Sequence, residues 1–148
     1  MAKSNNQDNR YERKSGHRLA VGVRARTISF SWEKLDKNQG QTPSEWEQEG
    51  LLSQLCIRMQ QIGQFEATTA LAQQYIKQYT QVGFPPNSKF EIPKHVTPTY
   101  WGVIHVTPNS KEVVAGYIEN DVFYVVFLDK DHLFWPTRNI QDRGKNKR

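Results

Sequence analysis

The sequence predicts a two-layer α+β domain, in which a short antiparallel sheet carries helices on one face. Three observations support this fold class. Apolar and polar residues alternate over 27–32, as in a half-buried strand, and a helical apolar stripe follows a helix-start signal at Thr42. Three apolar segments separated by short polar turns then occupy 101–128. The predicted order is therefore strand, helix, helix and a three-strand antiparallel meander.

Length and charge set the domain limits. The 148 residues fit one domain, since domains typically hold about 100–200 residues. Residues 1–26 carry seven basic and two acidic side chains, and residues 137–148 carry five basic and one acidic. The remaining eight basic and twelve acidic side chains lie in residues 27–136. We expect a flexible basic arm over 1–26, one folded domain over 27–136 and a basic tail over 137–148. Basic ends favour a polyanionic partner such as nucleic acid, and the alternative is that they are solvated termini.

The first strand and the first helix have clear local signals. Over 27–32, the sequence TISFSW places every second residue on an apolar face. Thr42 and Glu45 form a T-x-x-E capping box around Pro43, which suits the first helical position. An apolar stripe follows, and Gly63 is a suitable stop, so we predict one helix of about five turns.

The rest of the chain reads as a helix, a proline-rich segment and the meander. A second helix is predicted over 65–79, where apolar residues again recur at helical spacing. Four prolines in 81–100 exclude a helix or a central strand, and the apolar residues between them predict an ordered surface segment. The three strands are 101–106, 111–119 and 122–128, and the last is apolar on both faces, which places it inside the sheet.

His105 and its neighbours form the first candidate site. Histidine can act as a general base or as a general acid near neutral pH, so the histidines are the first candidates for proton transfer. If Ile104 packs on the helices, alternation turns His105 and Trp101 outward, and Tyr117 lies outward on the next strand. Such a surface could stack bases and move protons. The alternative is a partly buried histidine that is hydrogen-bonded across the sheet.

His132 forms the second candidate site. It ends the sequence Asp129-Lys130-Asp131-His132, just after the central strand, and alternation places Lys130 and His132 on one side. One alternative is a turn in which an aspartate caps backbone amides. Another is a metal site made by Asp129, Asp131 and His132, although a divalent nuclease needs further carboxylates.

Other function classes find little support in the sequence. The single Cys56 excludes an intramolecular disulfide framework and a multi-cysteine zinc site. No apolar run approaches the ~18 residues of a membrane helix, and no segment resembles a signal peptide, so we expect a cytoplasmic protein without membrane association. No nucleotide-binding or zinc-protease motif occurs, and we expect no cofactor.

The order of elements resembles that of RelE-type toxins, the mRNA-cleaving partners of bacterial toxin–antitoxin pairs. The resemblance covers roughly 27–135 and is carried by WGVIHV, VVAGYI and FYVVFLDKDHLFW. It implies a first strand that leads into a helical hairpin, and a three-strand antiparallel meander that bears the active face. It also implies an endoribonuclease that acts on RNA, or on RNA at the ribosome, and is neutralised by a partner, for which a small acidic antitoxin is the expected candidate.

Two functional hypotheses follow. In the first, the protein is a RelE-like endoribonuclease that needs no metal. In it His132 and His105 transfer protons and Tyr117 orients a base, while phosphate and bases are held by Lys130, Lys111, Arg138 and Trp101. In the second, it is a non-catalytic nucleic-acid-binding or accessory subunit of a larger complex. The second is favoured by Gly116–Tyr117, which stands where the toxin family commonly has an arginine.

Overall fold

The residues that the structure describes form a five-stranded mixed sheet and three helices, an α+β architecture. A computed structural model describes residues 26–80, 83–97, 99–108 and 110–136. The strands are β1 (Ser29–Ser31), β2 (Lys77–Gln78), β3 (Trp101–His105), β4 (Val113–Glu119) and β5 (Val122–Asp129). The helices are α1 (Pro43–Gln48), α2 (Leu51–Ile62) and α3 (Ala67–Ala72). The predicted arm, apart from Arg26, and the predicted tail lie outside the described residues.

The strand order is β1-β5-β4-β3-β2. Strands β3, β4 and β5 pair antiparallel in sequence order, while β1 lies parallel to β5 and β2 lies antiparallel to β3. The prediction that the last strand is interior is confirmed, since β5 has a partner on each side. The sheet is one strand larger than predicted, because β2 was not expected.

The helices pack on one face of the sheet. At the start of α1, the Thr42 side chain accepts a hydrogen bond from the Glu45 amide, and the Thr42 amide donates one to the Glu45 carboxylate, which confirms the capping box. The predicted five-turn helix is broken after Gln48, because Gly50 takes a left-handed conformation with φ 74° and begins α2. Both pieces still bury the predicted apolar stripe, in which Trp46 and Leu55 have no exposed surface.

The prediction of a second long helix over 65–79 is wrong. Helix α3 ends at Ala72, and Gln74 then adopts φ 61°, a left-handed conformation that a helix cannot continue through. The chain turns and forms β2, whose Lys77 pairs with Val103 of β3. The spacing of apolar residues did not reveal the change from helix to strand. Core-facing residues recur every two positions in a strand and every three or four in a helix, and over a few residues the two patterns are hard to tell apart.

The second face of the sheet is also covered. Trp101, Val103 and Phe127 project from this face into a second apolar cluster, away from the helices. The proline-rich segment supplies Phe84 and Phe90, and the chain after β5 supplies the fully buried Phe134. The ordered surface segment predicted for the prolines is therefore present, and it closes a face that was expected to be open.

Within the residues that the structure describes, no helix has the length and apolar character needed to cross a membrane.

Candidate active site

His105 and His132 lie side by side at one end of the sheet. Their ring centroids are 5.7 Å apart, although the residues are separated by two strands in the sequence. His105 is the last residue of β3, while His132 follows β5 and adopts φ 59°, a left-handed conformation that histidine tolerates better than most residues. The structure thus brings together the two histidines that the sequence analysis selected as proton-transfer groups.

Hydrogen bonds fix the protonation pattern of both rings. The Nδ1 atom of His105 lies 2.8 Å from the carbonyl oxygen of Ser110, and Nδ1 of His132 lies 2.8 Å from that of Trp135. A carbonyl oxygen only accepts, so each Nδ1 carries a hydrogen. In the neutral form, each Nε2 therefore holds the lone pair that can take a proton.

The surroundings of His105 differ from those of an ordinary surface imidazole. Burial lowers the pKa of His105, although its hydrogen bond to the Ser110 carbonyl opposes this. The positive charges of Lys77, His132 and Arg58 lower the pKa further. His105 is therefore largely neutral near pH 7, as a general base must be.

Asp129 holds the chain that carries His132. Its side chain is completely buried, and its two oxygens accept hydrogen bonds from the amides of Leu133 and Phe134 at 2.9 and 2.7 Å. Burial raises the pKa of Asp129, and these two hydrogen bonds oppose the rise. The loop geometry matches the turn alternative for this segment, in which an aspartate caps backbone amides.

The metal alternative does not assemble here. Asp129 is occupied by the two amides, and Asp131 lies 3.6 Å from the Lys111 ammonium in an exposed ion pair. Across the described ranges, no group of three or more His, Cys, Asp or Glu side chains is placed to hold a metal ion. The three members of the D-x-D-H sequence therefore do not form a common ligand set.

The predicted phosphate-binding lysines already have acidic partners. Lys130 Nζ lies 2.9 Å from Oε1 of Glu49 at the end of α1, and this contact raises the pKa of Lys130. Lys111 pairs with Asp131. Lys130 and His132 consequently bond to different neighbours, Glu49 and the Trp135 carbonyl. Arg138 lies outside the described residues.

The outward placement of Trp101 and Tyr117 is also wrong. Trp101 is only 2% exposed, because Phe84 and Phe134 pack against its ring, and Tyr117 is only 6% exposed and stacks on Tyr124. The cause is the second apolar layer, which covers this sheet face. Tyr117 also lies four residues along β4 from Val113, the partner of His105, and that spacing corresponds to about 13 Å.

Sequence analysis missed the residues that surround the histidine pair. The Tyr79 and Trp135 rings stack with centroids 4.3 Å apart, and Trp135 is the residue whose carbonyl holds His132. Lys77 lies on the unpredicted strand β2 beside β3. The only sequence signal for these residues is the alternation of Lys77 and Tyr79, which the helical interpretation of 65–79 obscured.

No protein-family model, curated protein or solved structure matches this chain.

Proposed function

We propose that the protein is a metal-independent endoribonuclease that resembles RelE-type toxins and is neutralised by a protein partner. The observation that carries the proposal is the pair of imidazoles, His105 and His132, with ring centroids 5.7 Å apart and both Nδ1 atoms held by backbone carbonyls. Two fixed histidines, whose Nε2 atoms make no hydrogen bond to any described residue, provide both proton transfers that RNA cleavage needs.

The two rings divide the proton transfers between them. Neutral His105 accepts the proton of a ribose 2′-OH through Nε2, and the 2′-oxygen forms a bond to the adjacent phosphorus. The bond between phosphorus and the 5′-oxygen breaks, and protonated His132 donates its Nε2 proton to that oxygen. The products are a 2′,3′-cyclic phosphate and a 5′-hydroxyl. The lowered pKa of His105 supports its assignment as the base.

The architecture and the charge distribution support the same proposal. The first strand, the helices and the antiparallel β3–β4–β5 meander support the proposal, although β2, which the resemblance does not imply, stands between the helices and the meander. The histidine pair lies where the meander ends. The basic segments 1–26 and 137–148 would attach the protein to RNA or to the ribosome through salt-dependent contacts to phosphates. The expected partner is a small acidic antitoxin.

A second candidate function is a non-catalytic nucleic-acid-binding or accessory subunit. The ion pairs of Lys111 with Asp131 and of Lys130 with Glu49 favour it, because two cations expected on phosphate are already engaged. Gly116 of β4, in place of the family's usual arginine, favours it as well. In this alternative the basic ends tether the protein and the histidine pair performs no chemistry.

The experiment that tests catalysis compares three histidine variants. His132→Gln and His105→Gln should each lower the rate of RNA cleavage about 10²–10⁴-fold, the usual contribution of a general acid or base. His95→Gln is the matched control, because His95 is exposed and bonds the Lys34 carbonyl in a distant loop. Growth arrest on expression and mapping of RNA 5′ ends, with and without ribosomes, are the measurements.

The outcomes separate the candidate functions. Loss of cleavage in the two site variants alone, with unchanged melting temperatures and activity in the presence of a chelator, supports the endoribonuclease. A wild-type protein that cuts nothing, alone or with ribosomes, refutes it in favour of the binding subunit. Cleavage that stops when a chelator is added would refute the metal-independent mechanism.

A further inference from the structure

Lys77 lies next to the histidine pair on the edge strand of the sheet. In the β2–β3 register, Lys77 is opposite Val103, so it projects from the same face as Val103 and His105. His105 is two residues farther along β3, and such diagonal neighbours lie about 7–8 Å apart. A lysine side chain spans that distance, so the Lys77 ammonium can reach a group that is bound at His105.

The loop that carries His132 is anchored to the same strand edge. Tyr79 shares the face of Lys77 because side chains alternate along a strand, and its ring stacks on Trp135 with centroids 4.3 Å apart. The Trp135 carbonyl accepts the hydrogen bond from His132, whose ring lies against His105. This chain of contacts places Lys77, His105 and His132 around one point at the β2 edge.

The charged groups that act on His105 have one sign, whereas the buried Asp129 carboxylate lies close enough to His132 to interact with its charge. Among the described residues, no acidic side chain lies within ion-pair distance of the Lys77 ammonium, in contrast to Lys111 and Lys130. The charged groups that act on His105 are Lys77, His132 and Arg58, and all three are cationic. The Lys77 side chain is exposed, so an anion in solution can reach it. A locally positive point with free donors is the environment that a phosphate group requires.

We propose that Lys77, His105 and His132 form a phosphate-binding site at the β2 edge, in which Lys77 holds the scissile phosphodiester of RNA. This inference rests on the proposed endoribonuclease function for the identity of the ligand. It assigns to Lys77 the role that the sequence analysis gave to Lys130 and Lys111. The ammonium neutralises charge on the phosphate oxygens while the two Nε2 atoms face the reacting oxygens.

Titration of the full-length protein with inorganic phosphate at pH 7 tests the site directly. The readout is the set of imidazole ¹H and ¹⁵N resonances of His105 and His132, assigned with the His→Gln variants. Phosphate should shift both sets, and Lys77→Gln should raise the Kd about 10- to 100-fold, as expected for loss of a hydrogen bond to a charged group. Lys77→Arg should retain binding, which controls for a folding defect.

Lys94→Gln is the matched control for overall charge. Lys94 is exposed and precedes His95, which bonds to the Lys34 loop after β1, at the opposite edge of the sheet from β2. Its Kd should stay within about twofold of the wild type, since exposed charges farther apart than about 10 Å are largely screened. Equal Kd values for wild type and Lys77→Gln, or imidazole resonances that do not respond to phosphate, would overturn the site.

RNA cleavage distinguishes failure of this inference from failure of the proposed function. Lys77-dependent phosphate binding in a protein that cleaves no RNA supports the anion site and removes the endoribonuclease. Normal cleavage by Lys77→Gln retains the endoribonuclease and overturns the assignment of Lys77 to the scissile phosphate. A loss of both phosphate binding and cleavage in Lys77→Gln, with both retained in Lys77→Arg, supports the whole proposal.

Discussion

Replacing Asp129 by asparagine should destabilise the protein and release the loop that carries His132. The carboxylate is fully buried, and each of its oxygens accepts one backbone amide, at 2.9 Å from Leu133 and 2.7 Å from Phe134. Asparagine has the same shape but only one acceptor oxygen. Its amide group would therefore face one of the two backbone N–H groups, and a donor would oppose a donor in a dry environment.

The magnitude follows from these two contacts. A hydrogen bond to a charged group contributes about 1.5–3 kcal/mol, so the pair contributes about 3–6 kcal/mol. Asparagine keeps one acceptor and avoids the cost of burying a charge, which offsets part of the loss. We expect Asp129→Asn to lower the free energy of unfolding by about 2–4 kcal/mol, a large fraction of a typical total of about 5–15 kcal/mol.

The assay is urea unfolding of wild type, Asp129→Asn and the control Asp131→Asn. Asp131 is two residues away but exposed, and its contact is a surface ion pair with Lys111, so its variant should change stability by less than about 1 kcal/mol. The contact between the His132 and His105 rings should also weaken in Asp129→Asn, which the imidazole resonances report. A loss below about 1 kcal/mol for Asp129→Asn, or equal losses for both variants, would refute the assigned role of Asp129.

Three further predictions concern packing and pH. Leu55→Ala should lower the free energy of unfolding by about 2–5 kcal/mol, because Leu55 is fully buried. Ile57 lies in the same helix but is 57% exposed, so Ile57→Ala should lower it by less than about 0.5 kcal/mol. Urea midpoints measure both changes, and equal losses would show that the buried face of the helix is misassigned. Gly116→Ala should cost about 1–3 kcal/mol or more in thermal unfolding, because a Cβ there would collide with the Tyr124 carbonyl. A Cβ at Gly83 meets no atom of the described residues, so Gly83→Ala should be near neutral, and a harmless Gly116→Ala would contradict the β4–β5 register. The pKa of His105 is lowered in the folded protein, so the unfolded chain binds a proton at this residue more readily. The free energy of unfolding should therefore fall as pH decreases through about 6.5, and level off below the pKa of the folded state. His105→Gln should lack this pH-dependent component when free energies of unfolding are compared across pH.

The parts of the fold that sequence reasoning predicted are those fixed by local chemistry. The capping box of Thr42 and Glu45 depends on residues three apart, and the meander depends on apolar strands joined by short turns. Both signals are contained within a few residues, so they do not depend on the rest of the chain. The break at Gly50 had a local signal as well, but a glycine within a helical pattern does not by itself dictate a left-handed residue.

The covered second face could not be predicted from alternation. Alternation along β3 correctly separates Ile104 from Trp101, since they enter different apolar clusters. It does not say whether the face away from the helices meets water or protein. Phe134 and the proline-rich segment decide that point, and their contacts with the sheet are long-range. Because the sequence predicted only two helices, and both on the same face, we expected the other face of the sheet to be exposed.

The sequence predicted the two central residues of the candidate site but not how the structure arranges them. His105 and His132 were selected for their chemistry, and each was given a separate site. Their contact depends on Asp129. Its carboxylate accepts hydrogen bonds from the backbone amides of Leu133 and Phe134, and so holds the turn after β5 that carries His132. Lys77 was not considered because its strand was taken for a helix. Because the edge strand β2 was predicted to be helical, Lys77 was not recognised as the cation that the β2–β3 register places beside His105.

The covered faces also determine where a nucleic acid can meet the histidine pair. A base that stacked on Trp101, as the sequence suggested, would have to displace Phe84 and Phe134 from that ring. The half-buried aromatic pair beside His132 is instead Tyr79 with Trp135, at the same strand edge as Lys77. An edge approach needs no opening of the core, because within the described part of the chain β2 has a neighbouring strand on one side only. If the protein cleaves RNA, we therefore expect the RNA to follow the β2 edge, with its phosphate at Lys77 and a base within reach of the Tyr79 and Trp135 rings.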